Sequence, residues 1–149
     1  MRFVDTNVLL YAVSRAAAES AKAETALSLL DSGDVALSVQ VLQEFYVQAT
    51  RPARLDRLTH QQASLLIESW LRFPCQDTTP GLVVAALRTA ERFRISYWDA
   101  AIVEAARAGG CGVVLSEDLN DGQDFGGVSV ENPFIIPRPS RRRLRRDRR

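Results

Sequence analysis

Short apolar runs alternate with longer amphipathic stretches along this chain, and no other feature restricts the possible fold as strongly. Residues 2–4 read as a buried strand and residues 8–13 as the helix after it, with residues 19–30 a second helix whose Ala23, Ala26, Leu27 and Leu30 share one face. Residues 35–37 form a second strand. Ser38 then caps a helix that turns Val41, Leu42, Phe45 and Ala49 inward, with Gln40, Glu44 and Gln48 along a polar stripe. Thr59 and Gln62 make a capping box for a helix with Ala63, Leu66, Ile67 and Trp70 on its core face, stopped by Pro74. A brief strand is expected over residues 75–77. Thr79 as cap and Pro80 at the first helical position open a helix carrying Val83, Ala86, Leu87 and Ala90 inward. Ser96 starts the last helix, with Trp98, Ile102, Ala105 and Ala106 on one side and Gly109 and Gly110 ending it. Strands over residues 112–115 and 128–130, the latter at an edge, complete the set. Such alternation predicts an α/β protein, a three-layer α/β/α sandwich around a short, mostly parallel central sheet.

At 149 residues and 46% hydrophobic content, one domain with a sizeable core is expected. No run approaches the roughly 20 apolar residues of a membrane span. The first strand also begins without a basic and apolar leader, so no membrane association and a cytoplasmic location are expected. Cys75 and Cys111 lack metal-ligand or redox spacing, and His60 is the one histidine, which excludes a histidine-rich metal site. The formal net charge of +1 conceals an asymmetry. Residues 138–149 hold eight of the 19 basic residues and one of the 18 acidic ones, so the body before them is about −6 and this tail about +7. The expected organisation is a folded domain over residues 1–137 and a disordered, Arg-rich tail over 138–149.

The acids of the body are placed suggestively. Asp5 follows the first strand, Glu44 lies on the helix after the second, Asp99 is in the first turn of a helix, and Asp118 follows the fourth strand. In an open parallel sheet these positions converge at the carboxyl edge, where ligands bind. Each acid also has a plainer reading. Asp5 suits a helix cap, Glu44 a solvated stripe, Asp99 a capping box with Ser96, and Asp118, Asp121 and Asp124 a turn. Together they say more. Gathered carboxylates repel unless divalent cations neutralise them, and hard oxygen ligands select Mg²⁺ or Mn²⁺. Such an ion lowers the pKa of a bound water and stabilises charge developing on a phosphodiester, chemistry that needs no histidine, cysteine or serine nucleophile.

Four blocks carry a family resemblance: FVDTNVLLY, LSVQVLQEF with Glu44, ISYWDAAIVEAA with Asp99, and VVLSEDLNDGQ with Asp118 and Asp121. In this order they resemble a PIN-domain ribonuclease, specifically a VapC toxin of a bacterial toxin–antitoxin pair, from Arg2 to about Pro137. The resemblance implies that Asp5, Glu44, Asp99 and Asp118 are catalytic, metal-binding acids, with Asp121 auxiliary. It further implies that Thr6, Asn7 and Ser116 orient carboxylates or waters. The implied activity is metal-dependent endonucleolytic cleavage of structured RNA, tRNA or rRNA. A homodimer and a cognate VapB-type antitoxin covering the site are also implied.

The tail is not part of the family's core pattern. Its arginines, Arg138, Arg141, Arg142, Arg143, Arg145, Arg146, Arg148 and Arg149, suit either RNA phosphates, with salt-dependent affinity, or a merely solubilising end. Three rival readings exist. A phosphorylation-receiver domain needs a lysine at the acidic edge, whereas Lys22 is expected on an outer helix. A phosphatase needs a second Asp two residues after Asp5, where Asn7 stands. A catalytically silent RNA- or partner-binding module with a PIN-like fold would be favoured by missing acids, and all four are present.

Overall fold

Phe3, Val4, Val35, Leu37 and Val114 are fully buried, as expected of strands covered on both faces. The computed structural model describes residues 1–136. Its elements, in chain order, are β1 (Arg2–Val4), α1 (Thr6–Ala12), a 3₁₀ turn (Ala17–Glu19), α2 (Ser20–Asp31), β2 (Val35–Ser38), α3 (Val39–Ala49) and α4 (His60–Trp70). They continue with β3 (Cys75–Gln76), α5 (Pro80–Phe93), α6 (Tyr97–Ala108), β4 (Val113–Leu115) and β5 (Ser129–Glu131). The Arg-rich tail, and every arginine named in it, lies outside the described residues.

The sheet runs β3-β2-β1-β4-β5 and all its pairings are parallel. Phe3 lies in register with Ala36 on one side and Val114 on the other, so β1 is the central strand. From β1 the chain steps outward through β2 and β3, then returns to place β4 on β1's opposite flank. This reversal between β1 and β4 is a topological switch point, where loops diverge and leave a crevice. The helices form two packing groups: α1 with α2 and α3, and α3 with α4, against α5 with α6. Helix α6 crosses β2, β3 and β4, and its alanines allow close approach: Ala100, Ala101, Ala105 and Ala106 are all buried. The fold is thus the α/β architecture expected from the alternation.

Local chemistry fixes the boundaries. Ser38, Thr59, Thr79 and Ser96 each accept a backbone N–H of the following helical turn, and Thr59 with Gln62 completes a capping box. Helix α1 begins two residues earlier than expected because Asp5 is itself the cap. Helix α4 ends at Trp70, ahead of Pro74.

Three side chains expected inward are exposed: Leu27 at 47%, Leu87 at 56% and Trp98 at 63%. Helix α2 buries only Ala26 and Leu30. Helix α5 turns Leu82, Ala86 and Thr89 to the core, because the Thr89 hydroxyl donates to the buried Glu104 carboxylate on α6 at 2.7 Å. Arg107, one turn beyond Glu104, meets both carboxylate oxygens through Nε at 3.2 and 3.3 Å. Its terminal nitrogens donate to the carbonyls of Phe125 and Gly126. This network ties α5, α6 and the loop before β5 together. Cys75 and Cys111 are both free thiols.

Candidate active site

The apolar run of β1 ends at Val4, and the next three residues supply the centre of a polar network beneath the carboxyl edge. Asp5 caps α1 with extended backbone (φ −77°, ψ 164°), and its Oδ1 accepts the Thr6 N–H at 2.7 Å. Across the switch point, Ser116 follows β4 directly and donates its hydroxyl to Asp5 Oδ2 at 2.7 Å. Asn7 joins the two strand ends. Its Nδ2 reaches Ser116 Oγ and Asp118 Oδ2, each at 3.2 Å, and its Oδ1 accepts the Glu117 N–H at 3.3 Å. Thr6 faces the other way and donates its hydroxyl to Glu44 Oε2 at 2.8 Å. Gln40, one turn before Glu44 on α3, donates to Oε1 at 2.9 Å, so both Glu44 oxygens are held.

Asp5, Glu44, Asp99 and Asp118 line a single cavity of about 490 Å³ above these strand ends. They come from four separate segments, and each has neutral donors around it or none. Asp99 gives its backbone N–H to Ser96, but its carboxylate accepts no hydrogen bond from a described residue. No lysine or arginine forms an ion pair with any of these four carboxylates among the described residues. Asp5 shows the consequence. Burial, first, pushes its carboxyl up to about 6, and the Asp118 and Glu44 charges push the same way against the hydrogen bonds from Ser116 and Thr6.

The acids border the cavity without crowding one point, and among the described residues no three acidic or other ligating side chains are gathered tightly enough to chelate one ion. The donor chemistry nevertheless suits a hard cation. Mg²⁺ keeps several of its waters and is held by one or two carboxylates together with substrate phosphate, so an all-protein cage is not required. The four carboxylates in the cavity lining and the uncompensated charge around Asp5 both fit such an ion.

Asp121 stands apart. It does not line the cavity, and its Oδ1 accepts the Asn132 N–H at 2.8 Å, fixing the loop against the end of β5. The auxiliary metal role expected for it receives no support from this placement. Lys22 lies on α2, the outer helix expected for it, and its side chain reaches the cavity residue Glu117. Its ammonium pairs with Glu117 and donates to the Tyr11 hydroxyl at 3.2 Å, above the Tyr11 ring. Burial raises the Glu117 carboxyl, but hydrogen bonds from Lys22 and Tyr11 outweigh it and hold the group below its ordinary value.

Tyr11, Arg54 and Trp98 line the cavity without having been expected there. Gln40, on the polar stripe with Glu44, and Glu117, in the acidic loop with Asp118, were legible as neighbours of the site though not as site residues. Helical spacing carried part of the signal, because Tyr11 lies four residues after Asn7 and Gln40 four before Glu44. Nothing in the sequence brings Arg54, in the connection between α3 and α4, to this wall.

Comparison with known proteins agrees with this fold. The structure resembles a toxin–antitoxin complex from Klebsiella pneumoniae with a TM-score of 0.66 at 17% identity, covering 91% of this chain and 100% of that one. It resembles the sarcin–ricin loop cleaving toxin VapC20 of Mycobacterium tuberculosis with a TM-score of 0.60 at 21% identity, over 79% of this chain and 90% of that one. A DNA-bound VapBC complex from Salmonella typhimurium matches with a TM-score of 0.61 at 18% identity, over 89% and 97%. No curated protein sequence matches the chain closely enough to count as a relative. The profile of the PIN domain matches residues 2–121, which is most of the chain, and the protein belongs to the PIN domain family.

Proposed function

We propose that the protein is a metal-dependent endoribonuclease, the toxin component of a type II toxin–antitoxin system, which hydrolyses phosphodiester bonds of structured RNA such as tRNA or rRNA. The observation that carries this reading is the set of four acids, delivered by separate elements to one cavity at the sheet's switch point, none of them ion-paired to a described lysine or arginine. Asp5, Glu44, Asp99 and Asp118 would hold Mg²⁺ or Mn²⁺. When bound, the ion supplies a water of lowered pKa and neutralises charge on the phosphodiester.

The chain's own residues set the stage. Ser116 and the Thr6 backbone fix Asp5, Thr6 and Gln40 fix both oxygens of Glu44, and Asn7 fixes Asp118. The Asp99 carboxylate accepts no hydrogen bond from a described residue, which leaves its oxygens to the ion or to a water beside it. The toxin–antitoxin relatives support a cognate VapB-type antitoxin as partner, and the family resemblance supports a homodimer. Among the described residues no helix is long and apolar enough to cross a membrane. The Arg-rich tail would contribute phosphate contacts to an otherwise acidic protein.

The test is cleavage of end-labelled total tRNA, then rRNA, by antitoxin-free protein in Mg²⁺, Mn²⁺ or EDTA beside Asp99→Asn. Discrete cuts that need metal and fall at least about 100-fold in the variant are expected. Equal cutting by both proteins would remove Asp99 from the chemistry. No cutting of either RNA by folded protein would favour the silent binding module.

A further inference from the structure

The acidic cavity has a basic and aromatic rim. Among the described residues Arg54 is the one lysine or arginine that lines it, and it pairs with none of the four acids. Its Nε is instead held by Asp56 Oδ1 at 2.9 Å. Asp56 is anchored in turn, its Oδ2 accepting the Arg15 N–H at 3.0 Å and the Ser14 hydroxyl at 3.4 Å. The guanidinium is thereby aimed by a fixed carboxylate, while its terminal nitrogens donate to no described residue. A planar fork with spare donors, held beside carboxylates it does not bind, is suited to an external oxyanion such as phosphate. Arg51 extends the same rim through a smaller cavity shared with Gln48 and Arg54. Arg51, Arg54 and Arg57 are three of the eleven basic residues that precede the tail.

Trp98, immediately before Asp99 and 63% exposed, lines the same cavity. An indole so open to water gives the fold little burial, yet its position is fixed. Its carbonyl accepts from Gln40 Nε2 at 3.3 Å, the same nitrogen that holds Glu44, and the Tyr97 ring meets it edge to face at 5.1 Å. Trp98 also borders an adjoining cavity of about 370 Å³ with Arg51 and Gln48. Aromatic faces beside cationic side chains are how proteins hold single-stranded nucleic acid, because every base has a face to stack and every linkage a phosphate to pair.

Resting on the nuclease reading above, we infer that Trp98 stacks one unpaired base, and Arg54 grips a phosphate, on the nucleotides flanking the bond to be cut. The substrate segment is then an unpaired loop or strand. A duplex keeps its bases stacked on one another and offers no free face to the indole.

The probe is a short oligoadenylate, added to the full chain at low salt in EDTA so that nothing is cut. Trp70 is buried against Phe45, leaving Trp98 as the tryptophan that a base can quench. Wild-type fluorescence should fall on titration, and that of Trp98→Phe should not, while Trp98→Phe keeps its affinity within about twofold by retaining a ring that stacks. Trp98→Ala should bind roughly 10-fold more weakly. Arg54→Gln should weaken binding similarly and reduce the salt slope by about one. A duplex of the same length should not quench Trp98. Unchanged affinity in Trp98→Ala and Arg54→Gln, equal quenching by duplex, or no binding by the wild type would each overturn the inference. The first pattern would leave the rim to a protein partner. Cleavage by the wild type with Trp98→Ala affinity unchanged removes this inference alone, whereas Trp98-dependent binding without any cleavage removes the nuclease reading and leaves Trp98 and Arg54 as a site that binds single strands without cutting them.

Discussion

Two buried carboxylates in this molecule received opposite treatment. Glu104 on α6, 8% exposed, is met by Arg107 Nε at both oxygens and by the Thr89 hydroxyl, so its charge is balanced within the fold. Asp5, at 6% equally buried, is surrounded by a backbone N–H, a hydroxyl and an amide, with Glu44 and Asp118 adding repulsion. Neutral donors orient a carboxylate without cancelling its charge. One carboxylate is charge-balanced within the fold and the other is not, and this difference is the physical ground for the proposal that an external cation completes the second.

Breaking the complete site should have the larger effect on stability. Arg107→Met strands Glu104 inside the α5–α6 interface and frees the loop carbonyls of Phe125 and Gly126. Loss of one member of a buried pair costs about 3–5 kcal/mol. Because the Arg107 side chain is 39% exposed, solvent screening brings the expected loss to roughly 2–3 kcal/mol. Urea unfolding measures it, and a change under about 0.5 kcal/mol would erase the distinction.

Relieving the incomplete site should act in the opposite direction. The Asp5 carboxyl stands near 6 in the folded protein against 3.8 in the unfolded chain. The native state therefore binds the extra proton, and its stability is greatest below the lower value and declines as pH rises through the higher one. That interval corresponds to about 3 kcal/mol at most. Asn cannot accept both the Thr6 and the Ser116 hydrogen bonds, which returns about 1 kcal/mol. Metal-free Asp5→Asn should accordingly be roughly 1–2 kcal/mol more stable than wild type at pH 7 and lose that advantage by pH 4. Mg²⁺ should raise the melting temperature of the wild type and much less that of the variant. A variant less stable than wild type at pH 7 would mean that Asp5 is chiefly a cap.

The same contrast explains what could be read from the chain beforehand. The sheet and most helix starts were legible because Ser38, Thr59, Thr79 and Ser96 act within one turn of their own sequence, and the strands are continuous apolar runs. The four acids were legible as a group because parallel topology sends strand ends to one edge. Long-range pairings were not. Thr89 turns α5 toward a glutamate 15 residues away, which displaced Leu87 from the core face, and Asp56 aims Arg54 through contacts with the chain some 41 residues earlier. Trp98 was assigned inward by its apolar character, although its neighbour Asp99 already marked that turn as facing the cavity.

Glu117 lies between the two extremes and supplies the smallest effect. It borders the same cavity as Asp118, yet Lys22 and Tyr11 supply it with a cation and a hydroxyl. Its carboxyl is held below the ordinary value, so it contributes stability at neutral pH that is lost as pH falls through the lowered value, the reverse of Asp5. Lys22 is 37% exposed and Glu117 28%, and partly solvated pairs contribute little. Lys22→Met should therefore cost about 0.5 kcal/mol at pH 7 and nothing once Glu117 is protonated, as followed by urea unfolding at both pH values. The Glu117 carboxyl itself should titrate higher in the variant, observed by carbon NMR of the labelled side chain. An unchanged titration would show that Lys22 does not balance Glu117, which would then belong with Asp5 among the acids whose charge no cation of the described residues offsets.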